Sequence, residues 1–255
     1  MQNKATEVVP AATLVLFREH GEAPAEHLFV ERAKTMSFAG GAIVFPGGRV
    51  EDDDRLLAAK WPMLAPEDAA ARVAAIRETI EETGIAVGVQ SLAPDDLRQL
   101  RQGLAAGEPF SALLTAAKSH LDLDQLIPFA HWRPHWPGHR VFDTRFYVAA
   151  APDGEAQVDG GENVRLFWAT AQHVLDEADA GRVQIIFPTR RNLERLASLK
   201  RLAAALDQVR NLPTPPPLIT PYDEERGGER WLRILDGAGY PVTAEAYAKA
   251  KRGGP

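Results

Sequence analysis

Arg77-Glu78-Thr79-Ile80-Glu81-Glu82-Thr83-Gly84 is the stretch on which the reading of this chain turns, closing a segment that opens with Phe45-Pro46-Gly47-Gly48. Helical residues advance about 100° each, which puts Glu78, Glu81 and Glu82 on one face. Val73, Ile76 and Ile80 fall on the opposite side, where they can pack into a core. Carboxylates crowded on one helical face repel one another, so the cluster makes chemical sense where divalent cations neutralise it. Hard carboxylate oxygens suit Mg²⁺ or Mn²⁺. An isolated Glu-Glu pair would read as a solvated acidic face. The Pro-Gly-Gly loop before this one and the Gly84 stop after it argue for a site instead.

Working outward, residues 11–17 read as a central strand and residues 27–32 as its hairpin partner across the turn Gly21-Glu22-Ala23-Pro24. A short strand at 42–45 leads to the Gly47-Gly48 loop, an acidic loop at 51–54 and a short helical excursion over 55–65. The main helix is expected to start near Glu67, with Pro66 in its first turn, and to end at Thr83 with Gly84 as a left-handed cap. Residues 85–89 return as a strand. Residues 94–126 are helical in two segments broken at Gly107-Glu108-Pro109, an insertion of about 92–125 carried on one side of a sheet.

Strands follow at 127–132, 141–150 and 164–168. Thr170 caps a helix ending at Gly181, and Pro188-Thr189 opens a long amphipathic helix reaching about Val209. Five prolines between 212 and 221 rule out regular structure there, and the tail to Pro255 carries short helical patches. Strand–helix alternation with a mixed strand order predicts an α/β sandwich. Residues 8–210 form its domain, and residues 211–255 form a Pro-rich linker and a tail packed on it.

Net charge is −6, so no global basic footprint points to nucleic acid. The absence of cysteine excludes disulfides, thiolate nucleophiles, cysteine–zinc sites and iron–sulfur clusters. The apolar run at 8–17 contains Pro10 and is far shorter than the ~20 residues of a membrane span. The expectation is no membrane and a cytoplasmic location. Neither a nucleophile elbow nor a Walker loop is present.

Residues 48–85 resemble the signature box of the Nudix hydrolase superfamily. Its second half, Arg-Glu-apolar-x-Glu-Glu-x-Gly-apolar, is matched by residues 77–85 with only Thr79 off type. Arg77 stands 29 residues after Gly48 where the pattern has 14, so 15 residues are inserted inside the box. Counting forward from Gly48 puts Asp54 at the box's first Glu; counting back from Arg77 puts Ala69 there. Upstream, Leu28-Phe29-Val30-Glu31-Arg32-Ala33, Gly41 and Phe45-Pro46-Gly47-Gly48 resemble the motif that precedes the box in coenzyme A diphosphatases, with Ser37 in place of a second Arg. The insertion, Arg140-Val141-Phe142-Asp143-Thr144-Arg145-Phe146 and the later Pro188-Thr189 are similar to the Nudix branch of coenzyme A and acyl-coenzyme A diphosphatases. The likeness covers about residues 10–205.

The resemblance implies a Nudix α/β/α sandwich with a central mixed β-sheet and an added helical insertion. It implies Mg²⁺- or Mn²⁺-dependent hydrolysis of the diphosphate bond in a small-molecule nucleotide derivative. Coenzyme A or acyl-coenzyme A is the favoured substrate, cleaved to an adenosine bisphosphate and a phosphopantetheine. Glu78, Glu81 and Glu82 would hold the metal, one of them accepting a proton from the attacking water. Arg77 would orient Glu78 through a bidentate contact, the Gly47 and Gly48 backbone would approach the metal or phosphate, and Arg32 would contact a substrate phosphate.

Nudix relatives are often dimers, which makes a homodimer an expectation. A nucleotide sugar, a dinucleotide or NADH is the alternative substrate. A non-catalytic Nudix ligand-binding domain is the alternative class, although such domains usually lose the helix glutamates. Glu162 is a candidate additional base or metal ligand, and Trp168 reads as core packing. His131, His135 and His139 are spaced by four, but Pro134 and Pro137 forbid the helix that would align them. Arg133 and Arg140 of that turn read as surface charges.

Overall fold

Strand β1 (Val8–Phe17) is buried on both faces: Leu14 and Leu16 enter one core, Val15 and Phe17 the other. In the computed structural model, which describes residues 7–35, 39–134, 140–153, 156 and 163–250, this strand carries the largest sheet. β2 (Glu26–Arg32) is not its hairpin partner. A single bridge joins Arg18 to Glu26. One edge of β1 is taken by a parallel strand along its whole length and the other, over Ala11–Thr13, by the glycine strand. β2 therefore pairs elsewhere.

β3 (Ile43–Val44) follows, and the expected Gly47-Gly48 loop is in fact β4 (Gly47–Arg49), antiparallel to β1. A Cβ on Gly47 would lie 2.3 Å from the Ala12 carbonyl oxygen, so only glycine lets the two backbones approach this closely. The acidic loop is also corrected. Residues 52–54 are the first turn of α1 (Asp52–Ala58), where negative side chains meet the positive end of the helix dipole. α2 (Pro66–Thr83) has the expected start, and its cap Gly84 is left-handed at φ 71°. Val73, Ile76 and Ile80 are fully buried, each contributing about 1.5–3 kcal/mol of apolar burial.

The strand expected at 85–89 shrinks to β5 (Val89–Gln90). After it come the two insertion helices, α3 (Pro94–Ala105) and α4 (Phe110–Ala116), and β6 (His120–Leu121), which pairs with β5. Then come β7 (Ile127–Trp132), β8 (Val141–Ala150), β9 (Asn163–Thr170) and α5 (Ala171–Asp179). The Thr170 hydroxyl caps α5 by accepting the His173 N–H at 3.2 Å.

The long helix expected from Pro188 to Val209 is two, α6 (Phe187–Leu199) and α7 (Leu202–Arg210). They break at Lys200, whose φ is 63° and whose carbonyl accepts the Ala25 N–H just before β2. The proline segment contains β10 (Leu218–Ile219), parallel to β7. Where helical patches were expected, the tail forms β11 (Tyr222–Arg226), β12 (Glu229–Arg233), β13 (Ala244–Ala246) and the single-turn α8 (Tyr247–Ala250). Gly227 and Gly228, both at positive φ, make the two-residue hairpin turn between the first two of these strands.

The central sheet is mixed, in the order β10-β7-β8-β1-β4, and a second antiparallel sheet runs β3-β2-β9. α2 and the insertion pack on one side with Leu14, Leu16 and Tyr147. α6 and α7 pack on the other side with Val15, Phe17 and Val148, together with Ile219, Leu232 and Ile234 of the tail. The layers are those of an α/β/α sandwich. Among the described residues, no helix is long and apolar enough to cross a membrane.

Candidate active site

The C-terminal half of α2 meets the glycine strand β4. The Gly47 N–H donates to Glu82 Oε2 at 3.0 Å, and Asn163, first residue of β9, donates from Nδ2 to Glu82 Oε1 at 3.0 Å. Gly48 faces Glu78 so closely that a Cβ there would stand 2.3 Å from the carboxylate. Glu82, buried, and Glu78, half-buried, are thus pressed against backbone that carries no side chains. Glu81 sits at the rim, with about a third of its side chain exposed.

Arg77 departs from expectation. Its bidentate contact goes to Asp54, from Nε to Oδ1 and from Nη2 to Oδ2, both at 3.0 Å. Only Nη1 reaches Glu78, at 2.9 Å, and the same nitrogen is 3.6 Å from Glu81. Nη2 also donates to the Arg49 carbonyl at 2.8 Å, tying the guanidinium to β4. Of the two positions counted for the box's first Glu, only Asp54 meets Arg77. Asp54 is fully buried beside Arg77, whereas Ala69 lies in the apolar core. Between Asp54 and Arg77 lie the end of α1, a short connection and the first turns of α2. Asp54 serves as the anchor of Arg77.

Burial pushes the Glu78 carboxyl up to about 7, and the charge of Glu81 adds to the push against the opposing pull of Arg77. Burial pushes Glu82 up to about 8, with the charge of Glu78 adding to it; the bonds from Asn163 and Gly47 and the charge of Arg32 pull the other way. Burial works against the charge of Arg77, yet the bonds to Asp54 and the surrounding carboxylates hold it above its ordinary range. The site therefore has one firmly paired cation and an excess of buried negative charge.

Arg32, Gly47, Gly48, Arg77, Glu78 and Glu82 are brought together, with Glu81 at the edge. Among the described residues, no three His, Asp or Glu side chains converge into a ready-made cage for a metal ion. The predicted set is thus an uncaged one. Glu78 and Glu82 point at the glycine strand, and Glu81 stands outside them. The donor chemistry still fits a hard divalent cation, since two under-compensated carboxylates face open backbone.

The other candidates lie apart. His131 bonds Asp143 at 2.5 Å across β7 and β8. Trp168 packs beside the first core under the Arg18 guanidinium, 4.1 Å from its ring. Arg140 is 3.7 Å from Glu7. Ser37, His135, His139 and Glu162 lie outside the described residues.

Two contributors carry no signal in the sequence. Asn163 is a lone amide between a Gly-rich loop and a strand. Arg101 of α3 donates to the last carbonyls of the site helix, Glu81 O at 3.0 Å and Glu82 O at 3.3 Å. α3 thus touches the site helix from behind.

No profile of a known protein family matches the chain. The crystal structure of a NUDIX hydrolase from Alicyclobacillus acidocaldarius is similar to it, with a TM-score of 0.69 and 30% identity over 80% of this chain and 97% of that one. A Caenorhabditis elegans protein carrying the name nudix hydrolase 7 is 28% identical over 183 residues, which is 68% of this chain and 56% of that protein. The chain spans little more than half the length of this curated relative.

Proposed function

The chain belongs to the Nudix hydrolase family, and from that premise we propose that it hydrolyses the diphosphate bond of a nucleoside diphosphate derivative in the presence of Mg²⁺ or Mn²⁺. The favoured substrate is coenzyme A or acyl-coenzyme A. The observation that carries the reading is the placement of buried Glu82 and half-buried Glu78 side by side against Gly47 and Gly48, with more negative charge than Arg77 compensates. When bound, a divalent cation neutralises diphosphate charge and acidifies a coordinated water.

The chain's own residues do the rest. Glu78 and Glu82 hold the cation, and Glu81 at the rim is placed to join them. Arg77, locked on Asp54, fixes Glu78 through Nη1. Arg32, next to Asn163 in the β2–β9 pairing, faces the same pocket and is positioned to neutralise a substrate phosphate. On this reading the Nudix domain is residues 8–210, with the insertion at about 92–125 on the side of α2, and residues 211–255 are its packed extension.

The spacing of Arg32, Ala33, Gly41 and residues 45–48 supports coenzyme A as substrate. Ser37, standing where the motif has Arg, favours the second reading, another nucleotide derivative such as a nucleotide sugar, a dinucleotide or NADH. The test is a panel of these diphosphates incubated with protein and Mg²⁺. Coenzyme A is expected to yield an adenosine bisphosphate and a phosphopantetheine. No turnover of any member, with wild type matching Glu81→Gln and Glu82→Gln, would overturn the enzyme reading. Cleavage of nucleotide sugars but not coenzyme A would overturn only the substrate.

A further inference from the structure

We propose that Asn163 is the positioning residue of Glu82, the neutral donor that aims its carboxylate at the cation. The inference rests on the reading of the site given above. Glu82 receives one donor on each oxygen, and the two donors come from different sheets. The Gly47 N–H of β4 holds Oε2, and the Asn163 amide of β9 holds Oε1, both at 3.0 Å. A carboxylate oxygen offers two lone pairs, so one remains on each after these bonds. A single donor would leave the carboxylate free to rotate about its Cγ–Cδ bond. Two donors on opposite oxygens fix its plane, and with it the direction of the remaining lone pairs.

The chemical type of the donor matters as much as its place. Asp54 is held by a guanidinium that cancels its charge. An arginine in place of Asn163 would do the same to Glu82 and compete with any cation. An amide orients the carboxylate without bringing a charge that would cancel its own. Asn163 is itself held firmly: it is 2% exposed, and its backbone pairs with Arg32 at the start of β9. Partners of this kind, one shell behind a metal ligand, typically govern metal affinity by about 10–100-fold.

The experiment is a titration of the metal-free full chain with Mn²⁺, followed by calorimetry or by the electron paramagnetic resonance of free Mn²⁺, with no substrate present. Wild type, Glu82→Gln, Asn163→Ala and the near-isosteric Asn163→Leu are compared, and the melting temperature of each is measured without metal. Both Asn163 variants are expected to bind Mn²⁺ about 10–100-fold more weakly while melting near wild type. In turnover, excess Mn²⁺ is expected to restore much of the lost kcat with KM for the diphosphate unchanged. Wild-type Mn²⁺ affinity in both Asn163 variants, with Glu82→Gln impaired, would overturn this inference and leave the reading of the site standing. Mn²⁺ binding absent from wild type, or unchanged in Glu82→Gln, would overturn both. Variants already unfolded without metal would make Asn163 a residue of the fold and also overturn the inference.

Discussion

Two helices on opposite faces of the central sheet bury charge, and they use it differently. On α6, Arg191 and Arg195 are each 1% exposed. Arg191 Nη2 donates to Glu194 at 2.8 Å and to Glu245 of β13 at 3.1 Å. Arg195 donates to Gln208 of α7 and to the Phe129 carbonyl of β7, with its guanidinium 3.7 Å above the Phe129 ring. Nearby, Tyr240 of the tail links Trp132 and Asn192 through its hydroxyl, at 2.8 Å to each. The α6 cluster has two arginines and two carboxylates, and apart from the Arg191–Glu194 pair within the helix its contacts join one element to another. On α2, Arg77 faces Asp54 and Glu78, with Glu81 at the rim and Glu82 beside Glu78. Burial costs several kcal/mol per ion in either place. A balanced cluster spends that cost on joining elements; an acidic excess against bare glycine backbone marks a place for a ligand.

The largest expected effects come from removing one member of a buried ion pair. Asp54→Ala should lose about 3–5 kcal/mol in urea denaturation, because it leaves Arg77 charged and buried, and Arg191→Ala should lose less, because Glu194 and Glu245 keep some contact with water. Only Asp54→Ala should also lose turnover, since Arg77 then stops fixing Glu78 and β4. Equal loss of activity in both variants would break the comparison.

A third buried group is kept neutral. His27 of β2 lies between Phe17 and Phe29 with its Nδ1 3.0 Å from the Leu16 carbonyl, and burial pushes its pKa down from 6.5 to about 4. The unfolded chain takes the proton near 6.5 and the folded chain only near 4, so its contribution is complete above 6.5 and drains away as pH falls to 4. The total is about 3 kcal/mol. Stability curves of wild type and His27→Gln should therefore converge over that window. Parallel curves would show that His27 titrates normally in the folded protein.

Glu82→Gln should move stability the other way. Removing an under-compensated buried charge should raise metal-free stability by about 1–2 kcal/mol, while turnover falls by at least about a hundredfold, the upper end of what partners behind a ligand cost. A destabilised Glu82→Gln would mean that the α2 cluster is as balanced as the α6 one.

Legibility followed sequence distance. α2, its apolar face, its Gly84 cap and the order Arg77, Glu78, Glu81, Glu82 all lie within one helix and its cap, and the structure has them where the pattern puts them. The Arg77–Asp54 pair spans 23 residues and the Asn163–Glu82 bond 81, and no periodicity reports such contacts. Alternation over residues 27–32 specifies a strand but not its partner, which is why β2 was matched to β1. The tail was different: Gly227-Gly228 between two short polar–apolar runs is a hairpin signal that the helical reading overlooked. Lys200 has no composition that announces a break, because its left-handed backbone is set by the contact with Ala25.

The smallest expected effect tests whether the insertion belongs to the site or only lies beside it. α2 ends on acidic residues and has no basic residue in its last turn, which is the unfavourable arrangement for a helix dipole. Arg101 supplies the missing cation from α3, bonding the Glu81 and Glu82 carbonyls. Gly84 makes room for it, since a Cβ there would sit 3.3 Å from the guanidinium. The contact neutralises carbonyl dipoles at the end of α2. Arg101→Ala should therefore cost about 1 kcal/mol of stability, less at high salt, with little change in turnover. An unchanged melting temperature would make the insertion a passive appendage. A loss of turnover matching Glu82→Gln would make Arg101 part of the α2 charge balance, and the excess of negative charge at the site would be smaller than the side-chain bonds indicate.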